Sequence, residues 1–213
     1  LVANGILWAV GDQVNAQLAA YQIPTPEFRD AEIPNYEKRD PAPRYQLPLS
    51  PEESMKLVQV PVGFELQLFA SEPMIINPIS MTWDERGRLF VIETTDYPNE
   101  IRKEGGDDKI KILEDTDGDG KADKVTIFAE GLNIPTSITP MNGGMLISMA
   151  PDFIFLKDTD GDDIADVREV IMTGWGKSDT HAGPSNLKYG FDNKIWGVLG
   201  YSGFRGEVSG VNH

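Results

Sequence analysis

Two short stretches of this chain space their carboxylates as a hard cation requires. Asp115, Asp117, Asp119 and Asp123 stand at positions 1, 3, 5 and 9 of a D-x-D-x-D-G-x-x-D loop, with Gly120 at position 6 and the carbonyl of Lys121 at position 7. Asp158, Asp160, Asp162 and Asp166 repeat the spacing, with the carbonyl of Ile164 at position 7 and Asp163 in place of the turn glycine. Calcium takes about six to eight oxygens at short range, and alternate carboxylates on a tight turn supply them together with a main-chain carbonyl. Both loops are therefore expected to hold structural calcium; magnesium, which gives up its water shell reluctantly, fits less well. The other reading is a pair of solvated acidic turns, in which nine aspartates repel one another uncompensated. An EF-hand is a poor description, because the flanks read as strands and the first loop has Thr126 at position 12, although Glu169 could fill that position in the second.

The remaining candidate is His181, in Gly176-Lys-Ser-Asp-Thr-His-Ala-Gly183, the one histidine besides the terminal His213. A lone loop histidine is more often a surface or hydrogen-bonding residue than a catalyst. Its alternative role is general base, because an imidazole titrates near neutrality. Tyr201 and Arg205 follow closely enough to line a pocket with it, a structural role being the plainer reading for both.

The elements that must position these residues are short strands. Residues 1–22 carry a helical rhythm through Ile6, Val10, Val14 and Leu18, widened by Leu7 and Trp8 and interrupted at Gly11. A linker over 23–53 follows, in which seven of the fifteen prolines fall between Pro24 and Pro51. From about Ser54 short β-favouring runs alternate with Gly, Asp, Asn and Pro turns. These predict strands at 64–70, 79–83, 88–93, 109–114, 124–130, 136–139, 144–149, 153–157, 168–172, 186–191 and 194–199. Leu113-Glu-Asp-Thr-Asp-Gly-Asp returns 43 residues later as Leu156-Lys-Asp-Thr-Asp-Gly-Asp. A repeat of that length holding four short strands has the size of one propeller blade. The expected fold is thus all-β, about two and a half blades of a β-propeller, too few to close a ring. In such up-and-down blades the aspartate loops join third to fourth strands. His181 lies between blades and so falls on the opposite face.

Composition narrows the function. With 19 Lys and Arg against 34 Asp and Glu, the net charge of −15 makes nucleic acid an unsuitable partner. The absence of cysteine excludes disulfides, thiol catalysis, zinc–cysteine sites and thioether attachment of haem within these residues. The apolar run Ile6–Val10 is too short to span a bilayer and has no basic region before it. Starting at Leu1 and stopping at His213 without a terminating element, the chain reads as an internal piece of a longer polypeptide.

His181-x-Gly183, Leu187, Gly190-x-Asp192 and Lys194-Ile195 resemble the H-x-G-x-x-L-x-x-G-x-D-x-x-I/L-Y pattern of the glucose/sorbosone dehydrogenase family. The resemblance implies a six-bladed propeller. It implies pyrroloquinoline quinone as the cofactor, with His181 as the base taking a sugar hydroxyl proton while hydride passes to the quinone. Pro61-x-Gly63-Phe64-Glu65, Ala70-Ser-Glu-Pro73, Asp84-Glu-Arg-Gly-Arg-Leu89, Ile112-Leu-Glu-Asp-Thr-Asp-Gly-Asp-Gly120 and Gly131-Leu-Asn133 look like the propeller of the large "membrane-bound dehydrogenase" proteins of planctomycetes and related bacteria. That likeness implies an extracytoplasmic protein of the periplasm or cell surface, with a haem partner in a cytochrome c module outside these residues. The quinone-binding arginines and catalytic calcium ligands of the dehydrogenase family lie in later blades and have no counterparts here. Leu1–Asp12 is similar to the last helix of ThuA-like domains. A non-catalytic calcium-binding propeller that binds glycans or proteins is the alternative function.

Overall fold

A computed structural model describes residues 16, 34–36, 38–42, 44–45, 47–99, 105–208 and 211–212. Apart from Ala16, the expected N-terminal helix lies outside the described residues, as does the first third of the linker. The chain divides after Leu68 into two units. In the first, a short helix, α1 (Pro51–Met55), ends the segment read as linker. Ser50 caps it by accepting from the Glu53 N–H, and the Glu53 carboxylate returns a bond to the Ser50 N–H. Ser-Pro-Glu-Glu at 50–53 carries this capping box openly, with proline at the first helical position. Residues 64–70, expected as a strand, belong to no sheet among the described residues.

The second unit is all-β. Strands β1 (Pro78–Trp83), β2 (Leu89–Glu93), β3 (Asp108–Glu114) and β4 (Lys124–Leu132) form a four-stranded antiparallel meander. Strands β5 (Ser137–Met141), β6 (Gly144–Met149), β7 (Asp152–Lys157) and β8 (Val167–Thr173) form a second. A two-stranded sheet of β9 (Ser185–Tyr189) and β10 (Ile195–Val198) follows, then a hairpin of β11 (Glu207–Val208) and β12 (Val211–Asn212) that the sequence did not announce. The first strands adjoin, β1 against β5 and β5 against β9.

Leu89-Phe90-Val91-Ile92 is an unbroken apolar run because β2 is covered on both faces. Phe90 and Ile92 join Ile110, Ile112 and Phe128 in a core shared with Ile138, Met145, Ile147, Ile154 and Leu156 of the second sheet. Leu89 and Val91 face the other way and pack with Leu113 and Ala122 against Phe69, Ala70, Met74 and Ile75. The first meander, packed on both faces, and the second, packed against it, mount the loops at their ends. No helix among the described residues is long and apolar enough to cross a membrane.

Candidate functional site

The aspartate loops are the turns β3–β4 and β7–β8. Asp115 accepts from the N–H groups of Gly118 and Gly120, at 2.7 and 2.8 Å, which curls the loop around its carboxylate. Those bonds, Gly120's foremost, hold the Asp115 carboxyl below the usual carboxylate range. In the second loop Asp158 accepts from Gly161 and Asp163 at 2.7 and 2.9 Å, and the Gly161 bond is the main cause of the same downward shift. Oxygens of Asp115, Asp117 and Asp119 lie within 4.8 Å of one another, as do those of Asp158, Asp160 and Asp166. Asp123 stands outside the first set and accepts from the Thr116 hydroxyl at 2.9 Å; Asp162 stands outside the second and accepts from the Ile164 N–H at 2.9 Å. The Lys121 N–H is likewise bonded to Asp119, at 2.8 Å, so the peptide at position 7 is held in both loops. The donors are all hard oxygens on short tethers, a set that could hold a hard metal ion.

Asp163 takes the left-handed conformation of the glycine it replaces, with φ 67° against 86° at Gly120. Its carboxylate accepts from the Arg88 guanidinium and lies 3.6 Å from Lys124 Nζ. Arg88, with one-tenth of its side chain exposed, also donates through Nε to Asp84 at 2.8 Å. The second loop is thereby tied to the first sheet by a partly buried ion pair, which holds a turn that would otherwise favour glycine.

His181 sits at the other end of the sheets, away from both carboxylate sets. Its loop is zipped to residues 200–205: Gly176 N–H donates to the Gly203 carbonyl at 2.9 Å and Arg205 N–H to the Gly174 carbonyl at 2.8 Å. A Cβ on Gly176 would stand 1.9 Å from the Ser202 carbonyl oxygen, so only glycine permits this approach. Asp179 Oδ1 accepts from the His181 N–H at 2.7 Å and lies 3.1 Å from His181 Nδ1, while its Oδ2 accepts from the Tyr201 hydroxyl. The Tyr201 bond, before the His181 bonds, lowers the Asp179 carboxyl below its ordinary value, and the same contact raises the Tyr201 hydroxyl. With Nδ1 donating to that carboxylate, Nε2 is the basic nitrogen.

The opposite wall is the β2–β3 connection. Asp108, fully buried, accepts from Thr94 Oγ1, Thr95 N–H, Asp96 N–H and Ile134 N–H at 2.6–3.0 Å. Four donors leave this carboxylate well satisfied and lock the turn that presents Tyr97. The Tyr97 ring meets His181 edge-on at 5.2 Å, and Thr180 Oγ1 donates to the Pro98 carbonyl at 3.2 Å. Between the walls lies a polar cleft of about 500 Å³ lined by Pro98, Asn99, Lys177, Ser178, Asp179, Thr180 and His181.

Of these residues the sequence had singled out His181; Asp179, Lys177 and Tyr97 escaped it. Asp179, two residues before the histidine, was the legible one, since an Asp-x-His spacing lets a carboxylate bond the imidazole locally. Tyr97 is 84 positions away and carries no such signal. Arg205 joins its loop through the main chain, and Tyr201 acts through Asp179.

No curated protein and no solved structure matches the chain. Residues 50–213 match a family described as a domain of unknown function, DUF7133, a span that takes in every sheet and both candidate sites. The chain belongs to the DUF7133 family.

Proposed function

We propose that the two meanders and the β9–β10 pair are the first blades of an extracytoplasmic β-propeller of the sugar-dehydrogenase type. In it the aspartate loops carry structural calcium and His181 is the general base toward a sugar or polyol hydroxyl. The carrying observation is the Asp179–His181 pair in a polar cleft. The carboxylate fixes the ring and leaves Nε2 to take a proton, as a base must be oriented before it can act. The adjoining first strands β1, β5 and β9 support the radial arrangement.

Calcium would be held by Asp115, Asp117 and Asp119, and by Asp158, Asp160 and Asp166, with Asp123, Asp162 and the Lys121 and Ile164 carbonyls completing the loops. Its contribution is charge neutralisation and cross-linking of each hairpin. The described residues would not hold pyrroloquinoline quinone, the hydride acceptor of such a reaction, by themselves, and the rest of its site would have to come from outside them. The quinone carries three carboxylates, whereas Lys177 is the one permanent cation among the described residues lining the cleft, so no step through it is derived. Haem has no cysteine to attach to in this chain.

The test is to supply the complete gene product with calcium, quinone and an artificial electron acceptor and to screen sugars and polyols. Turnover that His181→Ala abolishes is expected; no turnover, or turnover indifferent to that change, overturns the catalytic reading. The openness of the site, with 65% of the imidazole exposed, favours glycan binding without chemistry as the second reading. Calorimetry showing sugar binding in the absence of turnover would select it.

A further inference from the structure

We propose that a cleft at the aspartate-loop end of the sheets, away from His181, binds one unit of a neutral sugar through Arg88. The inference stands independently of the catalytic and propeller readings. The cleft has a volume of about 250 Å³ and opens between the β1–β2 turn, the β5–β6 turn and the second aspartate loop. Phe90, Ile112, Phe128 and Met145 line it at 1–4% exposure and so form its apolar floor. Asp84, Arg88 and Asp163 supply a polar wall, and Tyr189 of β9 stands at the rim, 54% exposed.

Arg88 is the group that lacks a partner. It is 8% exposed, and its guanidinium donates through Nε to Asp84 at 2.8 Å and through Nη1 to Asp163. Its third nitrogen, Nη2, donates to no group among the described residues. Yet Trp175 Nε1 is the one sealed side-chain nitrogen or oxygen without a partner among the described residues, so Nη2 is not sealed. It opens on the cleft that Arg88 lines. Two carboxylates hold this buried guanidinium in place, and an acceptor brought to Nη2 gains a charge-assisted hydrogen bond.

The charges select the ligand. Asp84, Asp158 and Asp163 line the same cleft in a chain of net charge −15, which disfavours an anion. A cation is disfavoured as well, because Arg88 lies between Asp84 and Asp163 and Asp158 accepts from the Gly161 and Asp163 N–H groups. A neutral ligand remains, with an acceptor for Nη2, donors for the spare lone pairs of the carboxylates and an apolar surface for the floor and Tyr189. A hydroxyl both donates and accepts. A pyranose ring carries several hydroxyls on its edge and C–H groups on its faces, so one ring meets all three demands. A peptide amide, with one donor and one acceptor pointing apart, meets fewer of them.

Methyl NMR of the complete gene product, labelled at methionine and held in calcium, tests this. The probes are glucose, galactose and xylose, with glucuronate as the anionic control and N-methylacetamide as the peptide-like one. The Met145 methyl, assigned through Met145→Leu, should shift saturably with at least one neutral sugar. His181→Ala should leave that shift in place, and glucuronate should bind about 10-fold more weakly. Tyr189→Ala, at an exposed position, should weaken binding about 5-fold with Tm unchanged. Arg88→Lys, which has no Nη2, should weaken it at least about 10-fold. No saturable shift with any of the sugars up to about 100 mM overturns the proposal. A shift with N-methylacetamide alone overturns it in favour of a peptide, and a shift with glucuronate alone in favour of an anion. Sugar binding that ignores both Tyr189→Ala and Arg88→Lys, or that disappears with His181→Ala, places the sugar elsewhere and overturns it too.

Discussion

Replacing His181 by alanine should lower kcat for sugar oxidation about 10²- to 10⁴-fold, the usual worth of a positioned base. Asp179→Asn keeps the shape of the turn but removes the charge that orients the ring. It should lower kcat at least about 10-fold with little change in KM, and alter the pH–rate profile, which a purely structural role would not do. Steady-state kinetics over pH 5–9 checks both. Asp179 is held below its ordinary value and Tyr201 above its own, so neither changes charge across that range. The basic limb then belongs to other groups. At Gly176 the constraint is steric: with a Ser202 oxygen 1.9 Å from any Cβ, the loop can reach its partner strand only without a side chain.

At the scale of the element, each aspartate loop is a hairpin turn whose carboxylates are already organised by main-chain N–H groups. EDTA should lower Tm by about 5 °C or more and calcium should restore it. The double change Asp117→Ala and Asp160→Ala should abolish the difference, as read by differential scanning calorimetry. Asp163→Asn tests the ion pair separately. Asparagine tolerates the left-handed turn but gives up the charge facing Arg88 and Lys124, so the chain should lose about 1–2 kcal/mol in urea unfolding. Its response to EDTA should be unchanged, because Asp163 lies outside the convergent carboxylates. Acid should act through Asp115 and Asp158. Their folded-state values are lowered, so their contribution is present above the ordinary carboxylate value of about 4 and is lost as pH falls through the lowered values. In EDTA, Tm should be flat from about pH 7 to 5 and fall below about pH 4.

At the scale of the whole molecule, the described sheets leave apolar side chains in water on two sides. Ile79, Met81 and Trp83 line one face of β1, and Phe191, Trp196 and Val198 lie on and beside the β9–β10 pair. Contiguous patches of this kind associate. The isolated 213-residue chain is expected to self-associate with rising concentration in sedimentation velocity, and Met81→Ser with Trp83→Ser should weaken that association. The buried core behaves differently: Leu156→Ala, at a position 1% exposed, should cost about 3 kcal/mol without changing the association state. Net charge acts at this scale too. The eight aspartates at ligand positions account for more than half of −15, so two bound calcium ions would relieve much of the local repulsion.

The strands β1–β10, their order and the two aspartate loops were legible in the amino-acid sequence because they rest on local signals. Alternation, turn residues and a 43-residue repeat act within a few positions of one another, and the structure pairs the strands in that order. The same locality set residues 88–93 apart as a strand, whereas the cover on both of its faces came from the tertiary structure. Residues 64–70 misled for the complementary reason: their pattern is that of a strand, but a strand needs a partner, and pairing is not a local property. Tertiary structure alone decided the rest. It turned Asp163 from a flaw in a metal loop into a link to Arg88, 75 residues away, and brought Tyr97 onto His181. Both contacts depend on where rigid sheets set loop ends distant in sequence, and no spacing along the chain encodes that.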